Sequence, residues 1–312
     1  MRKALPYVLL VLGALLVTVG VLAQTYAPGK IEKTPLDTDT RTALSGTGQL
    51  RNDDFELEET PLLAFSRNAV DADLSDDDTV VFASSLCLVV DVDDPDGCVT
   101  DEDPQGRLVS ATTDTFATDR NTGLSISDPD ELPEGVEPHE GLINKWPFGT
   151  EKKDYPVWDG IVGGAVDATY EGTDEIDGLD VYVFELNAEA DGVVVAGEDI
   201  VGSYRSDNTY YVDPRTGQIV RQEIDQVRSS ESGETLLEMN LAFTDEQVET
   251  NVDKINDDKA KLDLMEKTIP LVGYVVGIPL LLLGLFLVVR GNRRNAPASG
   301  GSGQRAKQPA DA

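Results

Sequence analysis

Three hydrophobic patterns succeed one another along this chain. At either end lies an apolar run without a charged residue, Ala4–Ala23 and Ile269–Val289. Each is about twenty residues long, enough at about 1.5 Å per residue to cross the roughly 30 Å hydrocarbon layer of a bilayer as a helix. Between them the period is two. Short runs rich in β-branched and aromatic residues, bounded by Gly and Asp, recur at Thr79–Val92, Arg107–Ala117, Ala165–Tyr170, Leu179–Leu186, Asp199–Tyr204, Thr209–Val212, Gln218–Val227 and Thr235–Phe243, with strands beginning near Thr42. Their spacing predicts an antiparallel meander. Tyr182, Phe184 and Leu186 share one face of their strand and are expected in the core, with Glu185 on the opposite face. From Thr244 the period changes to that of a helix. Thr244-Asp245-Glu246-Gln247 has the form of a capping box, and Val248, Val252, Ile255, Leu262, Met265 and Ile269 follow at helical spacings. Asp257–Lys261 and Asp263–Lys267 stand four apart in the favourable orientation. This amphipathic helix is expected to pack on its own β domain rather than on a second copy, and Pro270 to bend it.

The fold class is therefore membrane-anchored and mainly β: an antiparallel β-meander ectodomain with a membrane-proximal helix, flanked by two transmembrane helices. The expected boundaries are a cytoplasmic tip (1–3), a first span (4–23), an extracellular β domain (24–243), a membrane-proximal amphipathic helix (244–268), a second span (269–289) and a disordered cytoplasmic tail (290–312). Arg2 and Lys3 before the first span, and Arg290, Arg293 and Arg294 after the second, place both termini in the cytoplasm by the positive-inside rule. Val21-Leu22-Ala23 before Gln24 also suits a signal-peptidase site. The run exceeds the usual apolar core of a signal peptide, so an uncleaved anchor is expected.

Charge narrows the partners. The chain carries −33, and because the tip and tail are basic, the segment between the spans carries −39. Such a field repels nucleic acid and anionic headgroups. The expected partners are the cell membrane and an envelope lipid, glycan or other envelope protein. Local disorder is expected at Asp71–Asp78, at Asp91–Gly97, along Ser127–Pro138 and from Asn295 onward. The two cysteines, Cys87 and Cys98, lie eleven residues apart outside the membrane, where a disulfide across the Asp93–Gly97 turn is expected.

Candidate chemistry is sparse. The chain has no nucleotide loop, zinc-protease helix, nucleophile elbow or dinucleotide fingerprint, and neither a cofactor nor an enzymatic activity is expected. His139, the single histidine, lies in an acidic stretch and is expected at the surface. The Asp-rich turns at Asp73–Asp78 and Asp91–Gly97 lack the spacing of a calcium loop. Among so many carboxylates, nothing selects the pair that a wall-polymer hydrolase would use. Two stretches resemble each other: Thr115–Ile126 and Thr209–Val220 share an Asp-x-x-Thr-Gly turn, Asp119–Gly123 and Asp213–Gly217, between strands. The most distinctive segment, Asn144–Asp159, holds both tryptophans and a cluster of lysines. Trp146, Phe148, Lys152, Lys153, Tyr155 and Trp158 form the candidate docking surface, against the alternative of a Pro-rich crossover locked onto the sheet.

The run Trp146-Pro147-Phe148-Gly149-Thr150-Glu151-Lys152-Lys153-x-Tyr155-Pro156-x-Trp158-Asp159, the Tyr211–Gly217 turn and the Thr244–Pro270 helix resemble the PorA porin family of actinobacterial envelope proteins. The resemblance implies a Gram-positive cell-surface protein with an N-terminal span, a large external domain and a C-terminal span, and it supplies no catalytic residues. It also implies a channel as the alternative function. A strand-built membrane pore would need aromatic girdles and apolar outward faces, whereas aromatics make up 6% of this chain, so a channel would have to come from oligomerised spans.

Overall fold

The computed structural model describes residues 4–26, 28–51, 56–197 and 199–294. The expected tip at 1–3 and most of the expected tail lie outside them. The described residues form two compact units, one within 29–261 and one of the terminal segments 4–26 and 262–294.

The smaller unit contains α1 (Leu5–Thr25) and α4 (Ile269–Arg294), both long and apolar enough to cross a membrane. Glycine sets their contact. A methyl added at Gly13 would stand 2.8 Å from Gly277 O, one at Gly273 2.7 Å from Leu16 O, and one at Gly284 2.8 Å from Leu10 Cγ. Small residues thus let the two backbones meet, the usual device where lipid supplies no hydrophobic drive. Tyr274 Oη donates to Gln24 Oε1 at 2.9 Å. Before α4, Leu264–Thr268 forms one π-helical turn in which Ile269 N–H donates to Leu264 O. Pro270, which has no N–H to donate, follows directly on this turn.

After a short helical turn, α2 (Pro28–Ile31), the larger unit builds ten strands: β1 (Asp39–Arg51), β2 (Leu57–Asp71), β3 (Thr79–Val90), β4 (Leu108–Asp119), β5 (Tyr155–Asp159), β6 (Gly164–Ile176), β7 (Leu179–Ala196), β8 (Ile200–Val212), β9 (Ile219–Ser230) and β10 (Thr235–Phe243). They form one antiparallel sheet in the order β4-β3-β2-β1-β10-β9-β8-β7-β6-β5. Its edges are joined at one end by the bridges Thr118–Ser125, Leu124–Leu142 and Leu142–Val157, so the sheet curls and has an inner and an outer face.

Register assigns the core to these faces. Leu44, Leu62, Leu88, Met239 and Leu241 form one inner cluster. Val80, Phe82 and Phe116 form a second. Trp146, Tyr155, Phe184 and Leu186 form a third. Phe184 and Leu186 are buried, Tyr182 is half-buried beside them, and Glu185 is exposed. On the outer face, Val252 and Ile255 of α3 (Asp245–Asp263) pack on Leu179, Val181 and Val220. The amphipathic helix therefore covers its own sheet. Thr244 Oγ1 caps it by accepting from Gln247 N–H at 3.1 Å. The Gln247 side chain accepts instead from Ala43 N–H, and Lys261 pairs with Asp258 rather than Asp257, at 2.9 Å.

Three segments expected to lack order are folded. Asp71 Oδ1 accepts from Asp73 and Leu74 N–H, and Asp76 Oδ1 from Asp78 and Thr79 N–H. The acidic loop between β3 and β4 is tied back by the Cys87–Cys98 disulfide and by Arg107–Asp103 at 2.7 Å. Hydrogen bonds from Arg107 hold Asp103 at a pKa of about 2. Residues 126–136 lay Ile126, Leu132 and Val136 on Val81 and Ala117 of the outer face. Charge density argued for disorder, but the carboxylates are used as turn caps and the few apolar residues as anchors.

Candidate functional site

The two Asp-x-x-Thr-Gly turns are built alike. In the first, Asp119 Oδ1 accepts from Thr122 N–H at 2.6 Å and from Thr122 Oγ1 at 2.8 Å. In the second, Asp213 Oδ2 accepts from the same two groups of Thr216, at 2.9 and 2.8 Å. Gly123 (φ 72°) and Gly217 (φ 71°) close them in the left-handed region. Each turn also holds a neighbouring segment of the unit. Arg120 Nε donates to Thr34 O and Asn121 Nδ2 to Glu32 O. Lys259 of α3 pairs with the fully buried Asp213 at 2.9 Å, and Gln218 Nε2 reaches Asp258.

The Trp146–Thr150 run is clasped between the turns. Trp146 N–H donates to Gly217 O and Gly149 N–H to Arg215 O, while Phe148 N–H approaches Asn121 O. Two stretches that carry the family resemblance are thus one packed structure. Of the six candidate docking residues, Trp146 and Tyr155 are buried, at 1% and 6% exposure, and Phe148 and Trp158 are half-buried. Trp146 stacks on Phe184 and meets Tyr210 at a tilt of 53°. Tyr155 Oη accepts from Glu151 N–H. Lys152 and Lys153 are exposed, lying 5.2 and 5.3 Å from the rings of Tyr182 and Tyr155. The six do not form one surface. The neighbouring Lys145, which was not singled out, places its Nζ 3.8 Å from the Phe148 ring centre and 3.4 Å from Thr34 Oγ1. Burial lowers its pKa to about 7 against the opposing pull of Asp119.

His139 lies inside, at 5% exposure, not at the surface. Its Nδ1 faces Glu137 O and its Nε2 faces Asp114 Oδ2, each at 2.9 Å. Its ring lies between Phe116 and Trp158, with centroids at 5.8 and 4.5 Å. Asp114 begins a polar row across the inner face, because register pairs it with Ser84 and Ser84 with Asn68. The next row is Thr112, Leu86 and Ser66. Leu86 shares its face with buried Phe82 and Leu88, yet is 48% exposed. The inner face is therefore open to solvent along β2–β4. The sequence signal was available but weak: Ser66, Asn68 and Ser84 are polar residues at the parity of a core face.

A second polar group lies on the inner face of β8 and β9. Tyr204 Oη donates to Asp159 Oδ2 at 2.8 Å, Gln226 Nε2 approaches Tyr204 Oη, and Arg228 Nε donates to Gln226 Oε1 at 2.7 Å. Burial raises the pKa of Tyr204 and Tyr210 and lowers that of Arg228. This linked network fixes the corner after β5, where Asp159 Oδ1 also accepts from Ile161 and Val162 N–H. On the outer face an open concavity of about 520 Å³ is lined by Glu189, Asp191, Ser203, Arg205 and Ser229.

No curated protein matches the chain. Among solved structures, a LolA superfamily protein, NE2245, from Nitrosomonas europaea is 11% identical over 70% of this chain and 89% of its own, with a TM-score of 0.16. An N-terminal dehydratase from the difficidin assembly line is 6% identical over 69% and 82%, with a TM-score of 0.12. Neither bears on the function. A family model described as Porin PorA matches residues 5–286, taking in α1, the whole β unit and most of α4, and the chain belongs to that family.

Proposed function

We propose that this protein is a membrane-anchored, non-enzymatic member of the cell envelope, whose acidic β unit stands outside the cell and binds an envelope component. The observation that carries the reading is the bracketing of one folded β unit by two helices long and apolar enough to span a membrane. The basic residues flanking the two apolar runs, Arg2 and Lys3 before the first and Arg290, Arg293 and Arg294 after the second, favour cytoplasmic termini. A role without catalysis is supported by the use of the aspartates: Asp71, Asp76, Asp119, Asp159 and Asp213 commit their carboxylates to turn backbones. Protease added to intact cells is expected to cut the β unit. Cross-linking of the full-length protein is expected to capture an envelope lipid, glycan or protein. A β unit cut only in opened cells would overturn the reading, and empty captures would count against it.

The printed family description favours a second reading, a channel. The apolar runs of α1 and α4 contain no Asp, Glu, Lys, Arg or His, and their glycine-mediated contact supports a closed helix pair in one copy, so a pore would require several copies. Stepwise conductance of the full-length protein in a planar bilayer would promote this reading.

A further inference from the structure

A strand at the rim of a sheet leaves backbone groups unpaired unless another segment covers them. The curled sheet has two rims, and they are finished differently. At the β5 rim, Leu142 N–H donates to Pro156 O and Trp158 N–H to Leu142 O. Where β6 runs on past β5, Tyr170 N–H donates to Asp154 Oδ1 at 3.0 Å. At the β4 rim only the second half is covered. There Glu137 N–H donates to Thr115 O, Ile126 N–H to Ala117 O and Asp119 N–H to Leu124 O, so the odd-numbered residues of β4 turn their backbone groups outward. By the same alternation Ala111 and Thr113 present two N–H and two C=O groups outward. Among the described residues, none of the four meets a hydrogen-bonding partner. Ala111, Thr112 and Thr113 are exposed. A register shift opposite Leu88 and Val89 ends the regular stretch at Ser110. Ser110–Asp114 itself has neither proline nor lysine, the residues that blunt such rims.

Backbone pairing selects an extended chain without selecting its sequence. Charge narrows the choice. Between Asp91 and Asn144 stand fifteen acidic and two basic residues. Both basic ones are engaged within the fold, Arg107 by Asp103 and Arg120 by the carbonyls of Thr34 and Asp76. Asp114, at the end of the uncovered stretch, gives Oδ2 to His139, and its side chain remains 38% exposed. Glu137, on the segment that covers the following residues, is exposed. A second copy of the chain would bring its own −33 to this rim. A segment rich in lysine or arginine would instead be attracted by the field it meets there.

We infer that the uncovered rim of β4, Ser110–Asp114, accepts an extended cationic segment of a partner protein as an added strand, paired to the backbone of Ala111 and Thr113 and attracted by Asp114 and Glu137. The inference rests on the envelope-binding reading above and narrows the bound component to protein. Alternate side chains of the added strand fall on the inner face, where a lysine or arginine opposite Asp114 meets its carboxylate.

The test uses the full-length protein in phosphatidylcholine nanodiscs and three capped octapeptides: alternating lysine and threonine, alternating glutamate and threonine, and the lysine peptide N-methylated at every residue. Calorimetry is expected to show binding of the lysine peptide and none of the glutamate peptide. The N-methylated peptide keeps the charge but has no N–H for a ladder, and should bind at least about tenfold more weakly. Hydrogen exchange over residues 108–115 should slow when the lysine peptide is added, which adhesion by charge alone would not cause. Thr113→Pro removes an outward N–H and leaves the ladder to β3 in place, so it should weaken binding about tenfold with the fold retained. Asp114→Asn should weaken it about threefold. If Thr113→Pro does not fold, the N-methylated peptide on the parent decides the question. No binding of the lysine peptide, equal binding of either control peptide, or unchanged exchange would overturn the inference. Slowed exchange over 108–115 that appears without peptide as copies per nanodisc increase would assign the rim to a second copy and also overturn it. Envelope protein cross-linked equally by the parent and by T113P would overturn it while leaving the envelope-binding reading intact.

Discussion

Gly123 and Gly217 occupy equivalent places in two copies of one turn, but their surroundings differ. A methyl on Gly123 would lie 3.2 Å from Lys145 O, whereas one on Gly217 would collide with the Trp146 and Pro147 carbonyls. Both substitutions meet a left-handed backbone, which costs a residue with a Cβ about 1–2 kcal/mol. Gly123→Ala should therefore destabilise by about 1–2 kcal/mol, and Gly217→Ala by about 3 kcal/mol or more, with loss of the Trp146 docking; denaturant unfolding of the two variants measures the difference. Lys145 gives a pH signature. Its folded pKa of about 7 lies below the 10.5 of the free side chain, so between these values the unfolded chain holds a proton that the folded one has released. Stability should rise with pH across that window. Lys145→Met should flatten the rise and add about 2 kcal/mol below pH 7, read from melting curves at pH 6, 7.5 and 9. The Asp-x-x-Thr-Gly repeat was legible because its hydrogen bonds are local. The burial of His139 was not, because it depends on Asp114, Phe116 and Trp158, which only the curl of the sheet brings together.

Among the elements, strands rich in β-branched and apolar residues and bounded by Gly- or Asp-bearing turns were readable: β10 matches its expected span, Thr235–Phe243, and β3 and β9 lie within a few residues of theirs. β5 was not, because Pro156 and the flanking lysines give Tyr155–Asp159 the look of a crossover, and its pairing with β6 supplies order that the segment does not encode alone. The amphipathic stripe of α3 predicted its packing correctly because Val252 and Ile255 had one apolar surface within reach. The contact between α1 and α4 went unread, since the runs were judged by length and hydropathy while the information lay in the spacing of Gly13, Gly273, Gly277 and Gly284. Substituting leucine for Gly277, where a methyl already falls 2.9 Å from Val17 Cγ2 and 3.0 Å from Gly13 O, should overpack the pair by about 1–3 kcal/mol. Energy transfer between dyes on the two helices in detergent should fall relative to the parent, whereas leucine at Val275, which is 62% exposed, should leave it unchanged.

For the molecule as a whole, the dominant electrostatic fact is self-repulsion. Exposed pairs such as Lys153–Glu151 and Arg67–Asp39 are few against a net −33, and each contributes little in water. Salt should therefore stabilise the protein by screening like charges. Raising NaCl from about 10 mM to about 1 M shortens the screening length from about 30 Å to about 3 Å and should lift the melting temperature by about 3–6 °C. Sucrose at equal osmolality serves as the control, and an unchanged or lower melting temperature in salt would contradict the picture.

The sheet order places the first strand of the β unit beside the last, with Leu44 paired to Phe243. During synthesis, β1 through β4 can zip together as neighbours soon after they leave the ribosome, but the seam between β1 and β9 stays open until β10 has been made. Closure must wait for a segment encoded nearly two hundred residues after its partner. The newborn chain therefore carries two raw sheet margins through most of its translation, open templates for pairing with another chain until β10 arrives.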